Sequence, residues 1–363
     1  MRYCLFPFFD QYQLLSNRFL LDGSIDYIMP LKSWEDNVMS SKRCLNDVQI
    51  LPLSEDSIKY YDAIIILPFN ASYADKIILD FVFTNLKNKK KVYNFHSFPM
   101  NACSSQNEFS HIKDITLYPK VNIEIANHTI TPINATVIYN TSIAGSDYHT
   151  DVEFFLYRRL TEIGANVCVI SASPFAELYG YVPFPINELQ KISLYESAKW
   201  INKFVNELEK SRKPDIFIIS IPEPVTSYNP SSDNFGIINF ICTNAVLPDY
   251  TILNITLDNY SSEMLDKNII LSQKKLSCGV DAIVLSDLIF DSIAYSENIT
   301  PLCEFFRGDA LEQACICDRL NESPYHHGYI YNNQKKEDME LLFQKIISKV
   351  ARRKSVLEYE RVL

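Results

Sequence analysis

Glycine is scarce in this sequence, with 8 residues among 363. The dinucleotide fingerprint G-x-G-x-x-G and the phosphate-binding loop G-x-x-x-x-G-K-[ST] both need closely spaced glycines, and neither motif is visible. A Ser-His-Asp triad and the cysteine triplet of a radical-SAM enzyme are not visible either. The sequence therefore disfavours the well-known enzyme classes that these motifs define.

Long apolar runs and an excess of positive charge are also missing. No run reaches transmembrane length, and the first nine residues are too short and too polar at their edges for a signal peptide. Lys and Arg number 34 against 44 Asp and Glu, a formal net charge of −10 that argues against a general nucleic-acid binder. We therefore expect a cytoplasmic protein that binds neither membrane nor nucleic acid. Its 9 cysteines should be mostly reduced.

The length and the apolar content indicate a two-domain α/β protein. The chain is 47% hydrophobic, which allows an ample core. Apolar runs such as 62–67 (DAIIIL) are typical of central parallel strands covered on both faces, and they alternate with helical patterns. We predict two doubly wound, mostly parallel sheets, in a small Rossmann-like domain (1–130) and a larger P-loop-like domain (131–300). A helical C-terminal extension (301–363) should pack on the second domain, whose last strand is predicted at 280–285.

The stretch 136–171 is the centre of this prediction. Its pattern indicates a short buried strand (137–139), a polar loop (140–147), an amphipathic helix and a second strand (166–170). A polar loop between the carboxyl end of a buried strand and a helix N-terminus is a suitable place to hold an anion. The candidate ligand-binding residues of this loop are Ser142, Gly145, Ser146 and Thr150.

This loop is at most a degenerate phosphate-binding loop. Gly145 is its only glycine, and His149-Thr150 stands where the Lys-Ser/Thr pair would fall. A neutral histidine cannot clamp a phosphate as a lysine ammonium does, and Asp147 and Asp151 add negative charge. We therefore expect no cofactor. A nucleotide with Mg²⁺ stays an alternative, as does an ordinary β-loop-α unit whose loop binds nothing.

Four ionisable residues are candidates for acid–base chemistry, because each is predicted at the carboxyl end of a strand. They are His149, Asp147, Glu177 and Glu223. His149 would serve as a general base, with Asp147 or Asp151 orienting its ring. Proximity in the sequence is the only support for this constellation.

The segment 175–185 (FAELYGYVPFP) combines aromatic residues with two prolines. Exposed aromatic side chains and proline turns are suited to peptide contact. The candidate peptide-contacting residues are Phe175, Tyr179, Tyr181 and Phe184.

The tail contains Cys303, Cys315 and Cys317, followed by a His-His pair at 326–327. The Cys-x-Cys spacing differs from the Cys-x2-Cys of zinc knuckles. We therefore predict no metal site and keep the three cysteines as weak candidates. A reduced, partly buried helix is the preferred interpretation.

Four stretches, mainly in the second domain, resemble one protein family. They are LYRRLTEIG (156–164), FAELYGYVPFP (175–185), the IISIP turn (218–222) and FGIINFICTNAVLPD (235–249). The family is that of the peptide maturation system proteins encoded beside radical-SAM maturases and short cysteine-rich precursor peptides in bacterial gene clusters. Its loop resembles a weakened P-loop with a lysine near the end, where this sequence has His149.

The resemblance implies a cytoplasmic role in making a ribosomally synthesised, post-translationally modified peptide. It implies the precursor peptide, the radical-SAM maturase or both as partners, and it implies no defined reaction. An accessory binding protein is the first hypothesis. A peptide-modifying enzyme and a nucleotide-dependent ATPase- or ligase-like protein, both using the strand-end loops of the second domain, are the alternatives.

Overall fold

The computed structural model of this chain describes residues 1–8, 19–20, 23–31, 48–67, 72–95, 113–114, 123, 128–143, 150–173, 175–189, 191–225, 236–257, 261–290, 305–322 and 328–360. The chain forms two compact units. The first comprises Met1–Pro119 and Glu177–Gly180, and the second comprises Lys120–Ala176 and Tyr181–Leu363.

The first unit contains a mostly parallel sheet in which the described residues form seven strands in the order β2-β3-β1-β5-β6-β7, with β4 paired to β3. The strands are β1 (Arg2–Phe6), β2 (Phe19–Leu20), β3 (Gly23–Ile28), β4 (Gln49–Ile50), β5 (Ala63–Ile66), β6 (Lys91–Asn94) and β7 (Lys113–Asp114). Among the described strands of this sheet, only β2 runs antiparallel to its neighbour. All four residues of β5 are buried, as its apolar run predicts for a central strand.

One long helix, α1 (Ser72–Lys87), connects β5 to β6 in the first unit. It buries Ile78, Phe81 and Val82 in the core of this unit. The β-α-β arrangement that the sequence predicts for this part of the chain is therefore confirmed.

The second unit contains a sheet in which every described pair of strands is parallel. Its strand order is β10-β9-β11-β8-β12-β13-β16. The strands are β8 (Thr136–Ser142), β9 (Val167–Ser171), β10 (Val182–Pro183), β11 (Ile216–Pro224), β12 (Tyr250–Ile255), β13 (Ala282–Leu285) and β16 (Ile330–Asn332). A separate antiparallel ribbon is formed by β14 (Leu288–Phe290) and β15 (Phe305–Arg307).

Helices connect these parallel strands and complete a doubly wound α/β fold. They are α2 (Thr150–Glu162), α3 (Ile186–Leu189), α4 (Leu194–Arg212), α5 (Ile237–Ala245), α6 (Ser262–Leu276), α7 (Ala310–Asn321) and α8 (Lys336–Glu360). No helix in these described ranges has both the length and the apolar character needed to cross a bilayer.

The order of the strands places a topological switch point at β8. The connection through α2 leads from β8 to β9 on one side, whereas the connection through α5 passes from β11 across β8 to β12. Because such crossovers are right-handed, α2 and α5 cover opposite faces of the sheet. On the α5 side, the Tyr139 hydroxyl donates to the carbonyl oxygens of Cys242 and Val246, at 2.7 and 2.6 Å.

The boundary between the units differs from the one predicted at residue 130. Residues 128–135 belong to the second unit because they are fastened along α4. The Asn202 amide exchanges hydrogen bonds with both backbone groups of Thr131, and Glu209 accepts the N–H groups of Asn134 and Ala135.

The tail contributes more than a helical extension. Its strand β16 pairs in parallel with β13, with Ile283 opposite Ile330, so the prediction that 280–285 is the last strand of the sheet is wrong. The helix α8 then buries Met339, Leu342 and Ile346. A strand of three residues gives little local signal, because the alternation that identifies strands is recognised over about four to eight residues.

Candidate functional site

The strand β8 is longer than its apolar residues suggest. Residues 140–142, predicted as loop, continue the strand and pair with both β11 and β12. Ser142, a predicted ligand-binding residue, is 2% exposed, and its carbonyl oxygen accepts the N–H of Val225 at 2.8 Å. Residues 140–142 are therefore strand and not loop, because their backbone pairs with two neighbouring strands and the polar side chains of Asn140 and Thr141 have buried partners.

The polar end of β8 is connected to α5 on one face of the sheet. The Thr141 hydroxyl donates to Asn239 Oδ1 at 2.8 Å, and Asn239 Nδ2 donates to the Glu223 carbonyl oxygen at 2.9 Å. The Glu223 carboxylate accepts the backbone N–H of Ile238 at 3.0 Å, in the first turn of α5. The structure therefore assigns Glu223, a predicted acid–base candidate, the role of a helix cap.

Burial raises the pKa of Glu223, while the hydrogen bond from the Ile238 backbone acts in the opposite direction. The residue lies in the Pro222-Glu223-Pro224 stretch, where Pro224 is opposite Ser142 in the ladder. All three residues of this stretch are half-buried. They form a partly accessible rim at the carboxyl end of β11.

On the opposite face, a chain of buried hydrogen bonds connects the ends of four strands, β12, β8, β11 and β9. Asn254 on β12 donates from Nδ2 to Asn140 Oδ1 at 2.8 Å, and Asn140 on β8 donates from Nδ2 to Ser220 Oγ at 3.2 Å. Ser220 on β11 donates to Glu153 Oε2 at 2.5 Å. From the other side, Ser171 on β9 donates to Glu153 Oε1 at 2.8 Å.

Glu153 is the residue on which this network converges. It lies in the first turn of α2 and has no exposed surface. Burial raises the pKa of its carboxyl to about 7, and the hydrogen bonds from Ser220 and Ser171 limit the rise. A carboxyl group that changes charge near neutral pH at the end of a parallel sheet is the most unusual chemical feature of the described residues.

Sequence reasoning missed Glu153, although the helical pattern contained a signal. Glu153, Leu156 and Leu160 share the buried face of α2, since residues three and four apart are neighbours on a helix. A carboxylate on such an apolar stripe indicates a buried partner. Its partners, Ser171 on β9 and Ser220 on β11, could not be read from local sequence.

Four residues predicted in the loop lie outside the described residues: Gly145, Ser146, Asp147 and His149. Thr150 is the first residue of α2 and is 5% exposed. Glu177 is exposed in a short 3-10 turn, Ala176–Tyr179. The structure therefore brings Ser142 next to the Pro222-Glu223-Pro224 stretch. The proposed His149–Asp147 pair lies outside the described residues.

The aromatic segment does not provide the exposed contacts that the sequence predicts. Phe175, Tyr179, Tyr181 and Phe184 are exposed by only 4%, 7%, 6% and 1%. Phe184 belongs to the core beneath α4 and α5. Tyr181 packs edge-on against Tyr157 of α2, with 5.0 Å between ring centroids. All four side chains are buried, so they do not form the exposed surface that the sequence predicts.

Of the three tail cysteines, Cys315 and Cys317 lie among the described residues and point to different sides of α7. Cys303 lies outside the described residues, while Cys315 is exposed and Cys317 is buried on α7. Residues two apart on a helix point to different sides. Among the described residues, no group of three or more His, Cys, Asp or Glu side chains is placed to hold a metal.

A groove of about 570 Å³ lies between α2 and the start of α8. Both arginines of its lining pair with glutamates that also line it: Arg159 bonds Glu162 and Glu340, and Arg158 lies 3.7 Å from Glu162. Because these opposite charges satisfy one another, the groove offers a ligand less electrostatic attraction than its arginines suggest.

The fold and the strand-end geometry define a two-unit α/β protein with a switch point at β8. No protein-family model and no curated protein sequence matches the chain. A solved structure of a DUF1611 family protein from Anabaena variabilis is similar over 96% of this chain and 99% of that one, with a TM-score of 0.57 and 10% sequence identity. At this identity the similarity shows the two-unit fold alone.

Two further solved structures match with much lower TM-scores. A pseudomurein peptide ligase type C from Methanothermus fervidus has a TM-score of 0.24 and 12% identity over 78% of this chain and 44% of its own. The chloroplast FtsY of Physcomitrella patens has a TM-score of 0.27 and 14% identity over 68% of this chain and 74% of its own.

Proposed function

We propose that this chain is an accessory protein in the cytoplasmic maturation of a ribosomally synthesised, post-translationally modified peptide. It would bind the cysteine-rich precursor peptide at the carboxyl edge of the second sheet, beside β8, and present it to its maturase. The resemblance of the four sequence stretches supports the pathway, and the strand order supports the location of the site.

The observation that carries the location is the position of β8 between β11 and β12. In open α/β sheets, ligands bind outside the carboxyl ends of the strands at the point where successive connections leave in opposite directions. In this chain that point is also where the sheet changes from apolar to polar, with Asn140, Thr141 and Ser142 in succession.

The chemistry of this edge suits a hydrogen-bonding ligand more than a phosphate. The sequence 136–151 contains two Asp residues and neither Lys nor Arg. The half-buried rim of β11 adds Glu223 between two prolines. Peptide amides form hydrogen bonds with such groups, whereas a phosphate would meet like charge without a cation to offset it.

Calorimetric titration with the precursor peptide encoded beside the gene tests this proposal. The informative variants are Glu223→Gln and Glu209→Gln, because both glutamates accept backbone N–H groups but at opposite ends of β8. We expect peptide affinity to fall several-fold in Glu223→Gln and to stay unchanged in Glu209→Gln. No heat with wild-type protein at high micromolar peptide, or equal loss in both variants, contradicts the proposal.

A nucleotide-binding ATPase- or ligase-like protein is the second candidate, because a β-loop-α unit at a switch point is also how phosphate-binding loops are placed. A thermal-shift screen with ATP, GTP and Mg²⁺ separates it from the first. Ligand at about 100 times its Kd should stabilise the protein by roughly 2.7 kcal/mol. An unchanged melting temperature eliminates nucleotide binding.

The remaining alternative, a peptide-modifying enzyme with His149 as its base, is tested by the His149→Ala variant. Peptide maturation that is unimpaired in this variant argues against that enzyme.

A further inference from the structure

We infer that exposed apolar side chains at the beginnings of α4, α5 and α6 form a docking surface for an apolar segment of the precursor peptide. The inference deepens the proposed function and rests on it for the identity of the ligand. It adds a second contact to the one at the carboxyl edge beside β8, and it names the side chains that the peptide covers.

The path of the chain brings the beginnings of these three helices together. Each helix returns the chain toward the amino end of the next strand, β11, β12 or β13, in a sheet whose described pairs are all parallel. The N-terminus of each helix therefore lies at the carboxyl edge. Because α5 packs against both α4 and α6, the three helix beginnings form one border along that edge.

Large apolar side chains are exposed along this border. Those within the first four residues of the three helices are Leu194, Tyr195, Ile237, Phe240 and Met264. The far end of α4 is different, because its exposed side chains include Glu207 and Lys210, which pair with each other. The apolar character is thus concentrated at the end of the helix layer that lies beside the proposed site.

The outer side of α5 has no charged side chain. The helix reads IINFICTNA, and its exposed residues are Ile237, Phe240 and Asn244. A helix on the surface of a soluble protein normally presents charged residues on its outer face. A group of exposed apolar side chains without charges is typical of a surface that another molecule covers.

This apolar surface continues directly from the rim at the carboxyl end of β11. The Glu223 carboxylate accepts the N–H of Ile238, so the residue proposed to bind the peptide also caps the helix that carries Ile237 and Phe240. The start of α5 lies close to β11, since a Cβ at Gly236 would be 2.8 Å from the Val225 carbonyl oxygen. This continuity identifies the peptide, rather than a second copy of the chain, as the occupant.

The dimensions and the charges of the border fit an extended peptide that is not acidic. Neighbouring helix axes lie about 8–10 Å apart, so three helices span roughly the length of six extended residues at about 3.3 Å each. The acidic residues in the first turns are Glu196 and Glu263. The nearby lysines are engaged, because Lys199 lies over the Tyr195 ring and Lys267 pairs with Glu263. We therefore expect a segment that combines apolar side chains with basic or uncharged ones.

Calorimetric titration of the synthetic precursor peptide into wild type, Phe240→Ser and Leu247→Ser tests the inference. Leu247 is the matched control, because it is 78% exposed just beyond the opposite end of α5. Phe240 is 52% exposed, and the loss of its burial against the peptide should weaken binding by about fivefold. Leu247→Ser should bind as wild type does. Equal affinities of all three proteins, or an equal loss in both variants, overturn the inference.

Tyr195→Ser keeps the test decisive if Phe240→Ser does not fold. Tyr195 is 71% exposed on a different helix, so its replacement leaves the packing of α5 intact. We expect a several-fold loss of peptide affinity in this variant as well. Wild-type affinity in Tyr195→Ser contradicts a surface that extends across the three helices.

Sedimentation velocity of wild-type protein without peptide tests the competing occupant. We expect a monomer at tens of micromolar protein. A dimer that dissociates in Phe240→Ser would show that a second copy of the chain covers this surface, and it would overturn the inference.

The same titrations separate failure of the inference from failure of the proposed function. No heat with wild-type protein at high micromolar peptide overturns both. Peptide binding that Glu223→Gln weakens and Phe240→Ser leaves at the wild-type affinity supports the proposed function and overturns the inference alone.

Discussion

Arg159 on α2 and Glu340 on α8 form a bidentate ion pair. Arg159 Nε lies 3.1 Å from Glu340 Oε2, and Nη2 lies 2.6 Å from Oε1. The guanidinium carbon is also 5.1 Å from the centroid of the Phe343 ring. Two parallel hydrogen bonds and an aromatic face hold the side chain in one geometry, which distinguishes this pair from a mobile surface ion pair.

We predict that Arg159→Ala lowers the Tm at neutral pH. The hydrogen bonds from Arg159 lower the pKa of Glu340, so the stabilisation is present above the ordinary carboxyl pKa and is lost as the pH falls through the lowered one. The Tm difference should therefore close in acid. Calorimetric scans of Arg158→Ala provide the control, because Arg158 is 70% exposed and 3.7 Å from its partner; an equal loss in this variant contradicts the prediction.

We predict that Glu153→Gln removes a pH-dependent loss of stability. The pKa of Glu153 is raised from 4.5 to about 7, so the folded state favours the neutral carboxyl group. The stabilisation that this neutral group contributes is fully present below about pH 4.5 and is lost as the pH rises through 7. At about 1.4 kcal/mol per pKa unit, the unfolding free energy of the variant should gain roughly 3 kcal/mol relative to wild type between pH 4.5 and 8.

Glu196→Gln is the matched control for that experiment. Glu196 forms a capping box with Ser193, and the hydrogen bonds from Ser193 lower its pKa. The stabilisation from ionised Glu196 is therefore present above the ordinary carboxyl pKa and is lost in acid. The stability of the Glu196 site thus changes with pH in the opposite direction to that of the Glu153 site. Urea unfolding at a series of pH values measures both, and curves of the same sign would refute the assignment for Glu153.

We predict that Gly236→Ala is more destabilising than Gly164→Ala. Both glycines have positive φ, +74° and +86°, but a Cβ at Gly236 would lie 2.8 Å from the Val225 carbonyl oxygen, whereas none of the described atoms lies within 4 Å at Gly164. The left-handed conformation alone costs an L-residue about 1–2 kcal/mol. Chemical denaturation of both variants isolates the extra cost of the contact with Val225, and equal losses would show that the backbone shifts to relieve it.

We predict that Cys315 is alkylated rapidly in the native protein and that Cys317 is protected. Cys315 is exposed on α7, whereas Cys317 is 2% exposed, and burial raises the pKa of its thiol to about 12. The thiolate is the reactive form, so both access and charge protect Cys317. Mass spectrometry after iodoacetamide treatment checks this, and comparable labelling of the two residues would contradict the described packing of α7.

The general fold could be predicted because its signals are local. The apolar run of β5, the alternation of strands and helices and the apolar face of α8 each lie within a short window of sequence, where the periodicity of side chains is informative. The second sheet and its doubly wound connections were expected for the same reason.

Most of the candidate site could not be predicted, because its partners are far apart in the sequence. Asn140 and Asn254 are separated by 114 residues, and Ser220 and Glu153 by 67. Polar residues at the end of β8 therefore suggest a loop when they are considered alone. Glu153 is the exception, since its place on an apolar helical stripe was visible in the sequence.

The strand β16 lies close to the C-terminal end of the sequence, so the order of translation affects when the second sheet can be completed. Until residues 330–332 leave the ribosome, β13 has an unpaired edge, with backbone groups open to other strands. The first unit, whose last segment is Glu177–Gly180, can fold before the tail is translated, since domains fold as units from the N-terminus. The second unit has to wait for its outermost strand, so a nascent chain stalled before residue 330 should be the species most in need of a chaperone.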